Sequence, residues 1–213
     1  MTQQTRYNSR PNECVKVGDR EIWISRSCAV AMTIIVKYEG TLYCLMGQRG
    51  KGCPDEVGRW VLPCGYLDWD ESLAGAAMRE LLEETGFDYT EFQQMNSDSI
   101  VLSNFEDGQP WAVHSDKSGV KQNITHHFGA YIELPKRSWG LPQLTSEYCE
   151  PDEVDELKWI KLDDLWRYDI GFSHDKRIPM YVDYIKEHYG LFQRFTRWVN
   201  YKIDSLVYWV ETH

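Results

Sequence analysis

No run of about 18 consecutive apolar residues occurs in this chain, and Met1 to Asn12 is polar, so neither a membrane-spanning helix nor a secretory leader is expected. A soluble, cytoplasmic protein with no membrane partner is the expectation. The six cysteines (Cys14, Cys28, Cys44, Cys53, Cys64, Cys149) form no C-x-x-C pair and follow no regular spacing, which argues against a structural zinc site and against a secreted disulfide framework. Positive charge is also scarce. Lys and Arg number 23 against 33 Asp and Glu, giving a formal net charge of -10 and excluding the basic face that general nucleic-acid binding requires. No repeat, low-complexity tract or Gly/Ser linker divides the chain.

What is present reads as one continuous domain over 21–170, preceded by a polar leader over 1–20 and followed by a helical extension over 171–213. Glu21 to Ser25, Cys28 to Tyr38 and Thr41 to Arg49 have strand composition, the last two joined by a Glu39-Gly40 turn. Gly50 to Gly58 reads as a surface loop ahead of a short strand, Arg59 to Leu62. Glu71 to Thr85 has no Pro, is rich in Ala, Leu, Met and Glu, and stops at Gly86, which predicts a helix. Ser99 to Phe105, Asn123 to Leu134 and Glu156 to Ile160 follow as strands, the first two joined by a polar loop. Asp163 to Trp166 begins a short helix, and Pro179 to Tyr189 and Leu191 to Val210 are helical segments. This order predicts an α+β fold with a mixed sheet.

The helix over 71–85 carries the chemistry. At about 100° per residue, Leu73, Ala74, Ala77, Met78, Leu81 and Leu82 share one apolar face, while Glu80, Glu83 and Glu84 crowd into an adjoining arc. Like charges at these spacings repel, the more so beside a core. Arg79 reaches Glu83 or Glu71 but cannot neutralise all of them, whereas a hard divalent cation with all-oxygen ligands can. A solvated acidic helix face is the plainer reading of an isolated E-x-x-E-E.

The surrounding residues narrow that choice. Gly65, Glu71, Arg79, Glu80, Leu81, Glu83, Glu84, Gly86 and Phe87 fill every position of G-x(5)-E-x(7)-R-E-U-x-E-E-x-G-U, where U is a bulky apolar residue; chance would give this about once in 10^10 starts. The sequence resembles the Nudix (MutT-type) hydrolase family on this motif, with Arg59-Trp60-Val61-Leu62-Pro63 similar to the strand that enters it. Glu153 to Leu165 is similar to a later strand-and-helix segment. Cys64 stands where the family commonly has glycine.

The resemblance implies an α/β/α sandwich and hydrolysis of the diphosphate bond in a nucleoside diphosphate linked to another group, with an ADP-ribose or nucleotide-sugar type substrate favoured. It implies magnesium, with manganese as a substitute, held by Glu80, Glu83, Glu84 and the Gly65 carbonyl. Glu83 and Glu84 would form the catalytic set with Arg79 and Glu71, the latter two bracing loop against helix. Glu83, Glu150, Glu153 and Glu156 are the candidate general bases, and Arg26 and Arg49 the candidate substrate contacts. Gly171-Phe172-Ser173-His174-Asp175 falls where some family members acting on ADP-ribose-like substrates have a Phe-Asp-His segment. Adjacent His126 and His127 in a strand point to opposite faces and cannot share one metal ion. The amphipathic Leu191 to Val210 segment suits a tail packed on its own domain, with a homodimer contact as the first alternative and a membrane-surface helix, disfavoured by its few basic residues, as the second. The rival functional reading is a non-catalytic nucleotide sensor built on the same pocket.

Overall fold

The computed structural model describes residues 13–24, 28–115, 123–136 and 140–190. Its strands are β1 (Glu13–Val17), β2 (Arg20–Ile24), β3 (Cys28–Tyr38), β4 (Thr41–Arg49), β5 (Trp60–Val61), β6 (Cys64–Tyr66), β7 (Ile100–Ser103), β8 (Ala112–Ser115), β9 (Ile124–Glu133) and β10 (Val154–Lys161). Helices α1 (Leu73–Thr85) and α2 (Tyr89–Asn96) lie mid-chain, and 174–190 forms a further helix, α3. The main sheet runs β10-β4-β3-β9-β7, with β5 on β4, β6 on β3 and β8 on β9. Strands β3 and β9 are parallel and the other pairings antiparallel, so the sheet is mixed as the sequence predicts.

Period-two alternation on β3 and β9 builds two cores on opposite faces of this sheet. Val30, Met32, Ile34 and Val36 of β3 join Phe128, Ala130 and Ile132 of β9 under α1 and α2. Ile35 and Tyr131 face the other way, against Ile178, Tyr181 and Ile185 of α3. The result is an α/β/α sandwich. No helix among the described residues is long and apolar enough to cross a membrane.

Helix α1 starts two residues later than the sequence predicts. Ser72 caps it, its hydroxyl accepting from the Gly75 amide at 3.0 Å, which leaves Glu71 outside the helix and free to fold back on it. Gly86 closes it in the left-handed region, at φ 69°, a conformation that glycine adopts without steric penalty. The buried face is also rotated from the predicted stripe, comprising Ala76, Ala77, Leu81, Glu84 and Thr85. A second covering explains the rotation: the Thr145 amide donates to the Thr85 carbonyl at 2.9 Å, bringing the 145–149 segment over the end of α1.

Besides β1, three elements were not predicted. β6 is three residues long, too short to show a period; α2 is an eight-residue helix capped by Asp88, whose carboxylate accepts from the Glu91 amide; and β8 lies inside the stretch read as a polar loop. Helix α3 begins at 174, ahead of the Pro179 start predicted, because Ile178 belongs to the core it buries. The stretch read as a polar leader contains β1, which pairs with β2 as a separate hairpin. The short helix expected over Asp163 to Trp166 is a 3-10 turn, Leu162–Arg167, with no side-chain cap. Arg26 and the segment from Leu191 to Val210 lie outside the described residues.

Candidate active site

The site is built where β6, the loop after it and the C-terminal half of α1 meet. Antiparallel pairing of Ala29, Val30 and Ala31 with Tyr66, Gly65 and Cys64 lays β6 along the central strand, next to α1. A Cβ at Gly65 would land on the Glu80 carboxylate, so glycine is the residue that lets the chain pass there.

Arg79 organises the acidic cluster. Its Nε and Nη2 donate to the two Glu71 oxygens at 2.8 and 3.1 Å, a fork that a lysine cannot reproduce. Nη2 also donates to the Tyr66 carbonyl at 3.0 Å, and Nη1 to Glu80 at 2.8 Å and Glu83 at 3.0 Å. Glu71, whose side chain is wholly buried, accepts from the Asp68 amide at 2.9 Å and so ties the 66–71 loop to the helix.

Glu84 is held differently. It is buried, and its Oε2 accepts the Cys64 amide at 2.8 Å. Burial, and then the Glu80 charge, push its pKa well above the usual carboxylate range. Burial raises Glu80 to about 7 against the pull of Arg79. Two carboxylates thus sit where their charged forms are poorly solvated, and one guanidinium is shared among three glutamates.

The cleft beside Glu84 is lined by Arg49, Val61, Pro63, Glu153 and Val154 among others. Asp55 fixes Arg49, its carboxylate and carbonyl each accepting at 3.0 Å, and the guanidinium lies over the Phe172 ring, 5.0 Å from its centroid. Glu153 is half-buried, and burial raises its pKa. Glu150 and Glu156 are exposed, the latter paired with Lys158 at 2.7 Å. The structure therefore brings Arg49, Glu84 and Glu153 to one cleft and leaves Glu150 and Glu156 outside its lining.

Sequence reasoning missed the supports. The Cys149 thiol donates to the Glu83 and Glu84 carbonyls at 3.1 and 3.2 Å, and burial lifts its pKa to about 12, which keeps it a donor. Cys64 serves Glu84 through its backbone amide, so a side chain in place of glycine does not remove that bond. No local pattern marks either cysteine. His126 and His127 do point apart: His126 lies against the Cys28 thiol at 3.6 Å, while His127 is buried beside Trp111 and His114.

Oxygen donors alone (Glu80, Glu83, Glu84 and the adjoining Gly65 carbonyl) suit a hard dication of the magnesium kind. Among the described residues no three His, Cys, Asp or Glu side chains converge as a ready ligand shell, because Glu80 and Glu83 each direct an oxygen to Arg79. A cation at these oxygens would compete with that guanidinium.

Comparison with known proteins agrees with the fold and the motif. The NUDIX domain family model matches residues 28–181, and the chain belongs to the Nudix family of pyrophosphohydrolases. An RNA pyrophosphohydrolase from Wolbachia pipientis subsp. Culex pipiens (strain wPip) is 31% identical over 121 residues, covering 57% of this chain and 70% of that protein. The NUDIX domain of Shewanella oneidensis NrtR, solved with ADP ribose, superposes with a TM-score of 0.52 at 18% identity, covering 74% of this chain and 87% of that one. A bifunctional NMN adenylyltransferase/ADP ribose pyrophosphatase from Francisella tularensis, complexed with AMP and a manganese ion, gives a TM-score of 0.52 at 22% identity. That alignment covers 73% of this chain and 41% of that one.

Proposed function

We propose that this chain hydrolyses the diphosphate bridge of a nucleoside diphosphate derivative with magnesium held by Glu80, Glu83, Glu84 and the Gly65 carbonyl, and that manganese can replace it. The observation that carries this reading is the buried Glu84 carboxylate, fixed by the Cys64 amide at the wall of a cleft that also presents Arg49 and Glu153. Such a dication, when bound, neutralises phosphate oxygens and makes water a better nucleophile.

The protein's own groups do the rest. Arg49, held by Asp55 and backed by Phe172, offers a fixed guanidinium to a phosphate oxygen. Glu153 is the general base, because of Glu150, Glu153 and Glu156 it alone lines the cleft, and burial, which raises its pKa, favours proton acceptance. Glu71 and Arg79 hold loop and helix in register.

An ADP-ribose or nucleotide-sugar type substrate is favoured, since Phe172 lies against Arg49, which lines the cleft, in a segment similar to one found in family members acting on such substrates. The name of the Wolbachia relative, an RNA pyrophosphohydrolase, supports RNA as a second substrate. The test is a panel of ADP-ribose, nucleotide-sugars, NADH, dinucleoside polyphosphates, nucleoside triphosphates and triphosphorylated RNA with magnesium, products resolved by ion-exchange chromatography. Hydrolysis of at least one compound, lost in Glu84→Gln, is expected. Glu153→Gln is expected to lower kcat by about 10^2-fold and Glu156→Gln to leave it unchanged. No product from any compound would favour the sensor reading.

A further inference from the structure

His174 has no role in the chemistry above, yet 3% of its surface is exposed and its ring is committed to one backbone group. The Leu62 amide donates to its Nδ1 at 2.9 Å. A nitrogen that accepts carries no proton, so the ring is neutral with its hydrogen on Nε2, and burial agrees by lowering its pKa to about 3. Leu62 is itself fully buried, which leaves its N–H dependent on this one acceptor.

The next residues lead to the catalytic cluster. Pro63 has no N–H and a fixed φ, it restricts Leu62 before it, and its carbonyl accepts from the Met32 amide at 2.9 Å. Cys64 then donates its amide to Glu84 at 2.8 Å. His174 and Glu84 therefore stand at opposite ends of a stiff three-residue segment.

His174 connects a second time to Arg49, which lines the cleft, through Phe172. Phe172 and Ser173 have φ of 52° and 56°, a left-handed conformation that a bulky side chain seldom adopts. The turn is closed by the His174 amide donating to the Gly171 carbonyl at 2.9 Å, and anchored by the Gly171 amide donating to the Trp60 carbonyl at 2.9 Å. It sets Phe172 against Arg49 on one side and edge-on to the His174 ring, 5.8 Å away, on the other.

We propose that His174 is a positioning residue for the hydrolysis, fixing from the α3 face the Cys64 amide that aims Glu84 and the Phe172 ring that backs Arg49. Its kinetic consequence rests on the function proposed above; its mechanical part does not. The test compares His174→Leu, which removes the acceptor, with His174→Asn, whose amide oxygen stands near the Nδ1 position. Both are first melted to establish that they are folded at the assay temperature. Should His174→Leu not fold, His174→Gln, whose oxygen is displaced by one bond, takes its place.

Amide hydrogen exchange in the full-length chain is read at Leu62 and Cys64. His174→Leu is expected to speed exchange at both by about 10-fold or more, and His174→Asn to restore them. Turnover should follow, with kcat down about 10 to 100-fold and KM within about 3-fold in the Leu variant, and manganese affinity by calorimetry about 10-fold weaker. Faster exchange at Leu62 with Cys64 unmoved would overturn the proposal, as would equal loss of kcat in both variants. A wild-type chain that hydrolyses nothing would refute the functional reading, and the exchange data would still decide this one.

Discussion

On the α1 face of the sheet, the partly buried Glu80 and the buried Glu84 are carboxylates whose ionised forms are disfavoured by burial; on the α3 face, His127 and His174 are buried imidazoles that burial holds neutral, each with its pKa lowered to about 3. Both faces remove titratable groups from water. The difference lies in what surrounds them. Glu80 shares the Arg79 guanidinium with Glu71 and Glu83, and Glu84 lines the cleft beside Arg49 and Glu153, whereas the imidazoles lie among Trp111, Leu62, Phe172 and the aromatic rings of α3. Buried charge with access to solvent is an attraction for a cation, while a buried neutral ring serves as a structural wedge.

The sharpest way to break this comparison is Glu84→Gln. Turnover should fall on the order of 10^3-fold or more, while thermal stability holds or rises, because an uncharged isostere replaces a carboxylate that resists burial. A variant that keeps full activity would show that the α1 face is merely acidic. Arg79→Lys comes next. It breaks the fork to Glu71 inside a mostly buried network and should lower stability by about 3 kcal/mol, read from urea unfolding.

The α3 face is tested by pH. A histidine whose folded pKa is about 3 and unfolded pKa about 6.5 leaves the unfolded chain binding more protons between those values. Its contribution is complete above pH 6.5 and is lost as pH falls toward 3, with a slope near 1.4 kcal/mol per pH unit. Glu84, with a raised folded pKa, acts in the opposite sense, so the difference between variants is the clean measurement. His127→Gln should be less acid-sensitive than the wild type between pH 6.5 and 4.5 by about that slope. Unchanged acid sensitivity would mean His127 is protonated in the fold. The smallest effect is expected from Tyr181→Phe. The Tyr181 hydroxyl is buried with no hydrogen-bond partner among the described residues, so its removal should change stability by less than about 1 kcal/mol. A larger loss would reveal a bridging water.

The helix and its acidic residues were legible because they depend on local spacing. Period, cap and stop signal all lie within Glu71 to Gly86, and the glutamates follow from the 100° step. The long strands β3, β4 and β9 were legible for the same reason. β6, β8 and α2 were not, since three to eight residues carry too little periodicity, and the α3 start was mistaken because Pro179 suggested a first turn. The choice of Glu153 over Glu150 and Glu156 was likewise invisible, because all three sit in one acidic stretch and only the turn into β10 decides which faces the cleft.

The sequence by itself determined the family, the mixed α+β architecture, and the helix on which Glu80, Glu83 and Glu84 are gathered, since each follows from residue order over one or a few helical turns or strand repeats. Tertiary structure alone decided that Glu84 is buried under the Cys64 amide, that Arg49 and Phe172 stack at its cleft, and that His174 supports the strand end from behind. Those contacts join residues from 20 to more than 100 positions apart, and their geometry depends on how two cores close over one sheet, which no local pattern encodes.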